Sequence, residues 1–103
     1  MKILTVCAGA VCRSVGMAYV LKRHFQHDAL AISYDYNAPS TFLALSRWAK
    51  RIVVMQPHFA DRIPEKYKPK VRVCDVGRDI WVDPLNEELL EKCFIWIRNG
   101  GLD

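Results

Sequence analysis

Four short apolar runs alternate with segments of helical spacing along this chain, and that alternation restricts its fold more than any other feature. The runs are KILTVC (2–7), ALAISY (29–34), RIVVM (51–55) and VRVCDV (71–76). Each is too short for a helix, and their β-branched and apolar content suits buried strands. Between them the apolar period changes. Met17, Val20, Leu21, His24 and Phe25 fall on one helical face, which predicts a helix over 14–27. Phe42, Leu45 and Ala49 give a second such face, after turn and cap residues at 37–41. QPHFADRI (56–63) predicts a short helix with Pro57 in its first turn, and PEKYKPK (64–70) a charged, proline-broken connector. After a loop at 77–82, DPLNEELLEKCFIWI (83–97) predicts a last helix. Asp83 is expected to cap it, with Pro84 at its first position and Leu85, Leu89, Cys93 and Ile97 on its buried face. The order β-α-β-α-β-α-β-α predicts a three-layer α/β fold: a four-stranded, mostly parallel sheet with helices on both faces.

A length of 103 residues predicts one domain, 1–103, with a real core and little stability to spare. The short apolar N-terminus with its AGA faintly resembles a secretory signal, but cleavage there would remove the first strand. A cytoplasmic location is therefore expected, with reduced thiols, and no apolar run is long enough to span a membrane. The net charge of +4 favours an anionic substrate or partner. There is no basic stripe, arginine-rich arm or zinc-finger spacing, so nucleic acid is not the expected partner.

In open parallel sheets, ligands bind beyond the carboxyl ends of the strands. The loop after the first strand, VCAGAVCRSVGMA (6–18), lies there. It leads into a helix N-terminus, where unpaired N–H groups and the helix dipole attract an anion. Ala8, Gly9, Ala10, Val11, Cys12, Arg13 and Ser14 are the expected phosphate-binding residues. The small ones let backbone amides approach, and Arg13 supplies a planar fork of donors. Cys7 would sit beneath the bound phosphorus, in a field that favours thiolate over thiol. Ser14 could hydrogen-bond that thiolate and help it leave. The loop is not a nucleotide-type P-loop, because it lacks the Gly-Lys-Ser/Thr ending. Asp83 is the candidate acid, a role compatible with capping. Asp79 and Asp75 are the fallback.

Val6, Cys7, Gly9, Cys12, Arg13, Ser14, Met17 and Ala18, with Asp83-Pro84 downstream, resemble the signature of the low-molecular-weight protein tyrosine phosphatases. The segment 46–55 is also similar to that family's helix-to-strand passage, and the resemblance covers most of the chain in order. It implies hydrolysis of a phosphotyrosine or small aryl phosphate monoester through a phosphocysteine on Cys7. Arg13 and the loop amides would hold the oxygens, and Asp83 would serve as acid and then base. Neither metal nor other cofactor is implied. Cys12 is implied as the redox partner of Cys7, able to close a protective disulfide.

The chain departs from that family in four respects. It is shorter; Ala10 stands where the family has Asn, Val15 where it has Pro, and Leu85 where it has an aromatic wall. Tyr34, Tyr36 and Trp81 are replacement-wall candidates, with ordinary packing the alternative. Two other functions remain open. One is a catalytically weak phosphate- or phosphotyrosine-binding module. The other is an arsenate reductase, which shares the loop and relays a disulfide through two further, neighbouring cysteines. Cys74 and Cys93 are far apart in sequence and look like core thiols. A zinc site on Cys7 and Cys12 lacks a second close pair. His24 is expected on a helix face and His27 and His58 on the surface. No membrane partner is expected, and the molecule should be a monomer or weak dimer.

Overall fold

The computed structural model describes residues 1–9 and 12–103. Four strands, β1 (Lys2–Cys7), β2 (Asp28–Ser33), β3 (Arg51–Val54) and β4 (Val71–Val73), form one sheet in the order β2-β1-β3-β4. Every neighbouring pair is parallel, as the alternation predicts. β1 lies between β2 and β3 and is apolar on both sides; Ile3, Leu4 and Val6 are fully buried. Helices α1 (Arg13–Phe25), α2 (Pro39–Trp48) and α3 (Glu87–Arg98) cover the two faces, with α1 packed on β1, β2 and α3. The chain steps from β1 outward to β2, then returns across β1 to β3. The carboxyl ends of β1 and β3 thus flank the point where the winding reverses, the place where such sheets bind ligands.

Several element boundaries differ from expectation, each for a local reason. α1 ends at Phe25, not at 27, because Gln26 takes a left-handed conformation (φ 54°) and the His27 amide turns back to the Leu21 carbonyl. The charged connector is a second 3₁₀ helix, Glu65–Lys70, following the first at Pro57–Arg62. Pro69 is tolerated near its end, where it breaks no long ladder. β4 is three residues rather than six, although the Cys74 amide still reaches the Val54 carbonyl.

The last helix begins three residues later than expected. Asn86, not Asp83, is its cap, and its side chain accepts from the Glu88 and Leu89 amides. Asp and Asn cap about equally well, so the following residues decide. Glu87 and Glu88 favour the positive end of a helix starting there. Asp83 instead closes a tight turn, its carboxylate accepting from the Leu85 amide and its carbonyl from the Asn86 amide. Gly16 presses this turn onto α1: a Cβ there would lie 2.8 Å from the Pro84 carbonyl oxygen and 3.0 Å from Leu89.

Candidate active site

The site is built at the carboxyl end of β1. Cys7 is the strand's last residue and is buried, not exposed as a reactive thiol would be if it stood free on a loop. Its Sγ shares a 3.0 Å hydrogen bond with Ser14 Oγ, the contact the sequence allowed for. Ser14 sits in the first turn of α1, and that turn is pinned to the sheet because Thr5 Oγ1 donates to the Ser14 carbonyl at 2.8 Å. β2 braces the other side: the Tyr34 amide bonds the Cys7 carbonyl, and Ser33 Oγ and the Asp35 amide bond the Ala8 carbonyl. Gly9 follows in a bend. Ala10 and Val11 lie outside the described residues. Cys12 occupies the N-cap position of α1 with no side-chain cap bond, and α1 has no acidic residue in its first turn.

Arg13 has the most informative surroundings. Its residue is 1% exposed, yet Nε has no hydrogen-bond partner among the described residues. Nη1 is fixed by two acceptors, Gln56 Oε1 at 2.7 Å and the Gly77 carbonyl at 3.0 Å. The Phe59 ring lies 5.4 Å from the guanidinium carbon. A buried donor without an acceptor is costly, about 1–3 kcal/mol and more when charged. The Nε edge of this guanidinium thus has no acceptor among the described residues and is open to one from a ligand. Gln56 and Gly77 were not among the sequence candidates. Only the position of Gln56 just past β3, at the winding reversal, hinted at it.

Two carboxylates neighbour the loop. Asp79 Oδ1 stands 3.9 Å from Arg13 Nε. Both Asp79 and Asp83 act on Cys12: burial pushes its thiol up, Asp79, Cys7 and Asp83 push it further, and Arg13 works in the opposite sense. Asp83 is exposed, and Asp75 accepts from the Gly77 amide.

Of the wall candidates, Tyr36 is exposed, while Tyr34 packs against Phe59 and His58, and Trp81 is buried. Leu85 is half-exposed. The cysteines Cys74 and Cys93 are core thiols, but their separation in sequence misleads. Both are buried in the core, and interaction with Cys93, together with burial, pushes the Cys74 thiol well above its ordinary range. His24 lies on the α1 surface against Phe94, and His27 Nδ1 is 3.0 Å from the terminal amine. Among the described residues no group of three His, Cys, Asp or Glu side chains is placed to hold a metal ion, and no helix is long and apolar enough to cross a membrane.

No family model and no curated protein matches the sequence. Solved structures do match. A low-molecular-weight protein tyrosine phosphatase from Streptococcus pyogenes is 13% identical with a TM-score of 0.68, over 96% of this chain and 92% of that one. Wzb of Vibrio vulnificus, solved with benzylphosphonate, is 16% identical with a TM-score of 0.65, over 95% and 92%. The YwlE arginine phosphatase of Geobacillus stearothermophilus is 15% identical with a TM-score of 0.60, over 95% and 93%. The fold of this chain is that of the low-molecular-weight protein tyrosine phosphatases.

Proposed function

We propose that the chain, acting as one domain, is a cysteine-dependent phosphatase of aryl phosphate or phosphotyrosine monoesters. One observation carries this: a buried guanidinium whose Nε has no partner among the described residues, on the residue next to a serine that hydrogen-bonds the Cys7 thiol. The Arg13 fork and the first amides of α1 hold the phosphoryl oxygens. Cys7 Sγ attacks phosphorus, the P–O bond to the phenol breaks, and Asp83 gives its proton to the leaving oxygen. Asp83 then takes a proton from water as that water attacks the phosphocysteine. The P–S bond breaks, inorganic phosphate leaves, and Ser14 Oγ stabilises the departing sulfur through the 3.0 Å contact. Cys12 is the redox partner of Cys7 in the same proposal. The fold it shares with tyrosine phosphatases and an arginine phosphatase supports phosphoryl chemistry here.

Asp83→Asn tests the acid. Because Asn86 caps α3, this change does not remove the helix cap, and asparagine can keep the turn bond to Leu85. With a weakly acidic phenol as leaving group, kcat should fall about a hundredfold or more, the usual worth of general acid catalysis. With a strongly acidic phenol the loss should shrink. Equal turnover of wild type and variant on both substrates would return the acid role to Asp79.

The reductase alternative is favoured by one feature, the influence of Cys93 on the Cys74 thiol. Both thiols are buried, however, and a relay needs them to reach Cys7. Arsenate-dependent consumption of a dithiol, abolished by Cys93→Ser, would favour that reading over hydrolysis.

A further inference from the structure

Resting on the phosphatase reading, the surroundings of Arg13 also bear on which phosphoryl ligands the site prefers. The stretch after β4 is tied down at two points. The Gly77 carbonyl is bonded to Arg13 Nη1, and Trp81 is buried. Between them the chain passes over the guanidinium without regular structure, and Ile80 and Val82 are left in solvent. Asp79 lies in this span. Its side chain is 46% exposed, and its Oδ1 stands 3.9 Å from the Arg13 Nε that has no hydrogen-bond partner among the described residues.

That distance is too long for a hydrogen bond and short enough for strong Coulombic attraction. Asp79 therefore leaves the hydrogen-bonding position on Nε open while already offsetting part of its charge. A phosphate oxygen bonded to Nε would lie within a few ångströms of the Asp79 carboxylate, so two anions would share one guanidinium. Asp83, exposed on the next turn, adds to the negative charge, and Arg78, exposed beside Asp79, is the nearest cation in sequence.

We propose that Asp79 is a specificity-determining residue of the anion site. It weakens the hold on ligands that bring only negative charge and favours phosphoryl groups flanked by a cation, such as a phosphotyrosine next to lysine. The cation meets the carboxylate that the phosphate repels. Bare inorganic phosphate, the product, has no such compensation and is released more easily.

The test combines calorimetric titration of inorganic phosphate with turnover of two phosphotyrosyl peptides, one flanked by lysine and one by glutamate. Wild type is compared with Asp79→Asn and Asp79→Ser. Asp28→Asn serves as control, since it removes the same charge at the opposite end of the sheet, where β2 begins. The expected result is phosphate binding about fivefold tighter in both Asp79 variants, the worth of one partly exposed charge pair, and no change in the control. The preference for the lysine-flanked peptide in kcat/KM should shrink in the Asp79 variants by a similar factor. Equal or weaker phosphate binding in both variants would make Asp79 an orienting partner of Arg13 and overturn the proposal. So would a large and equal loss of turnover on both peptides, which would make Asp79 the acid. A wild type that binds phosphate but hydrolyses neither peptide sinks the phosphatase reading alone, because the titration still decides the role of Asp79. Absence of phosphate binding in wild type and variants alike overturns both.

Discussion

Cys7→Ser abolishes turnover of an aryl phosphate, with kcat falling by about four orders of magnitude or more, while phosphate binding changes little. A serine hydroxyl at that position is not ionised near neutral pH and makes a poor nucleophile. In the proposed site the anion contacts do not depend on the sulfur, since they are assigned to Arg13 and the start of α1. The substitution is also conservative in space: the residue is buried and its partner is already a hydroxyl, Ser14 Oγ. Steady-state kinetics with phosphate titration of the same preparation check both halves. Cys12→Ser is the companion variant. Burial together with Asp79, Cys7 and Asp83 holds Cys12 toward the thiol form, which disfavours it as a nucleophile. Activity that survives Cys7→Ser and is lost in Cys12→Ser would reverse the assignment.

Arg13→Lys is expected to cost more than a charge-conserving change usually does. Phosphate affinity should fall at least about tenfold and kcat/KM by about two to three orders of magnitude, the worth of a preorganised donor to the transferring group. An ammonium is a point charge on a flexible stem. It can satisfy Gln56 or the Gly77 carbonyl, but it cannot do so and also present a planar edge to two phosphate oxygens. Circular dichroism separates this from misfolding, because the guanidinium is buried and its loss also leaves two acceptors to be rehoused. Near-normal affinity and turnover in a folded Arg13→Lys protein would remove the anion cradle from the account.

The parts of the site that are local in sequence were legible, and those made across the sheet were not. An apolar run ending at Cys7, small residues after it and helical spacing from Met17 onward placed the strand, loop and helix. The Cys7–Ser14 contact followed from that placement. Gln56 and Gly77 escaped notice because a side-chain amide and a backbone carbonyl carry no signature, and their role exists only once β3 and β4 lie beside β1. The start of α3 was misplaced because Asp83-Pro84 and Asn86-Glu87-Glu88 are both good openings for a helix. Propensity alone did not rank them, and the turn that Asp83 closes over Gly16 appears only with α1 in place. Cys74 and Cys93 are legible as buried thiols, yet nothing in their spacing announces that one would influence the other.

The grip on Arg13 reaches far along the chain: Gln56 is 43 residues away and Gly77 is 64. A partly unfolded molecule, with β3 or β4 detached, keeps the Cys7 loop but loses the guanidinium's orientation. An anion at the free edge therefore binds the complete sheet and not its fragments, and its binding energy is added to the free energy of unfolding. At a hundred times its dissociation constant such a ligand contributes about 2.7 kcal/mol, a large share of the margin available to a protein of this size. On the proposed function, occupancy by phosphate then slows heat inactivation and proteolysis as well as competing with substrate, so that the ligand expected to inhibit also preserves the protein.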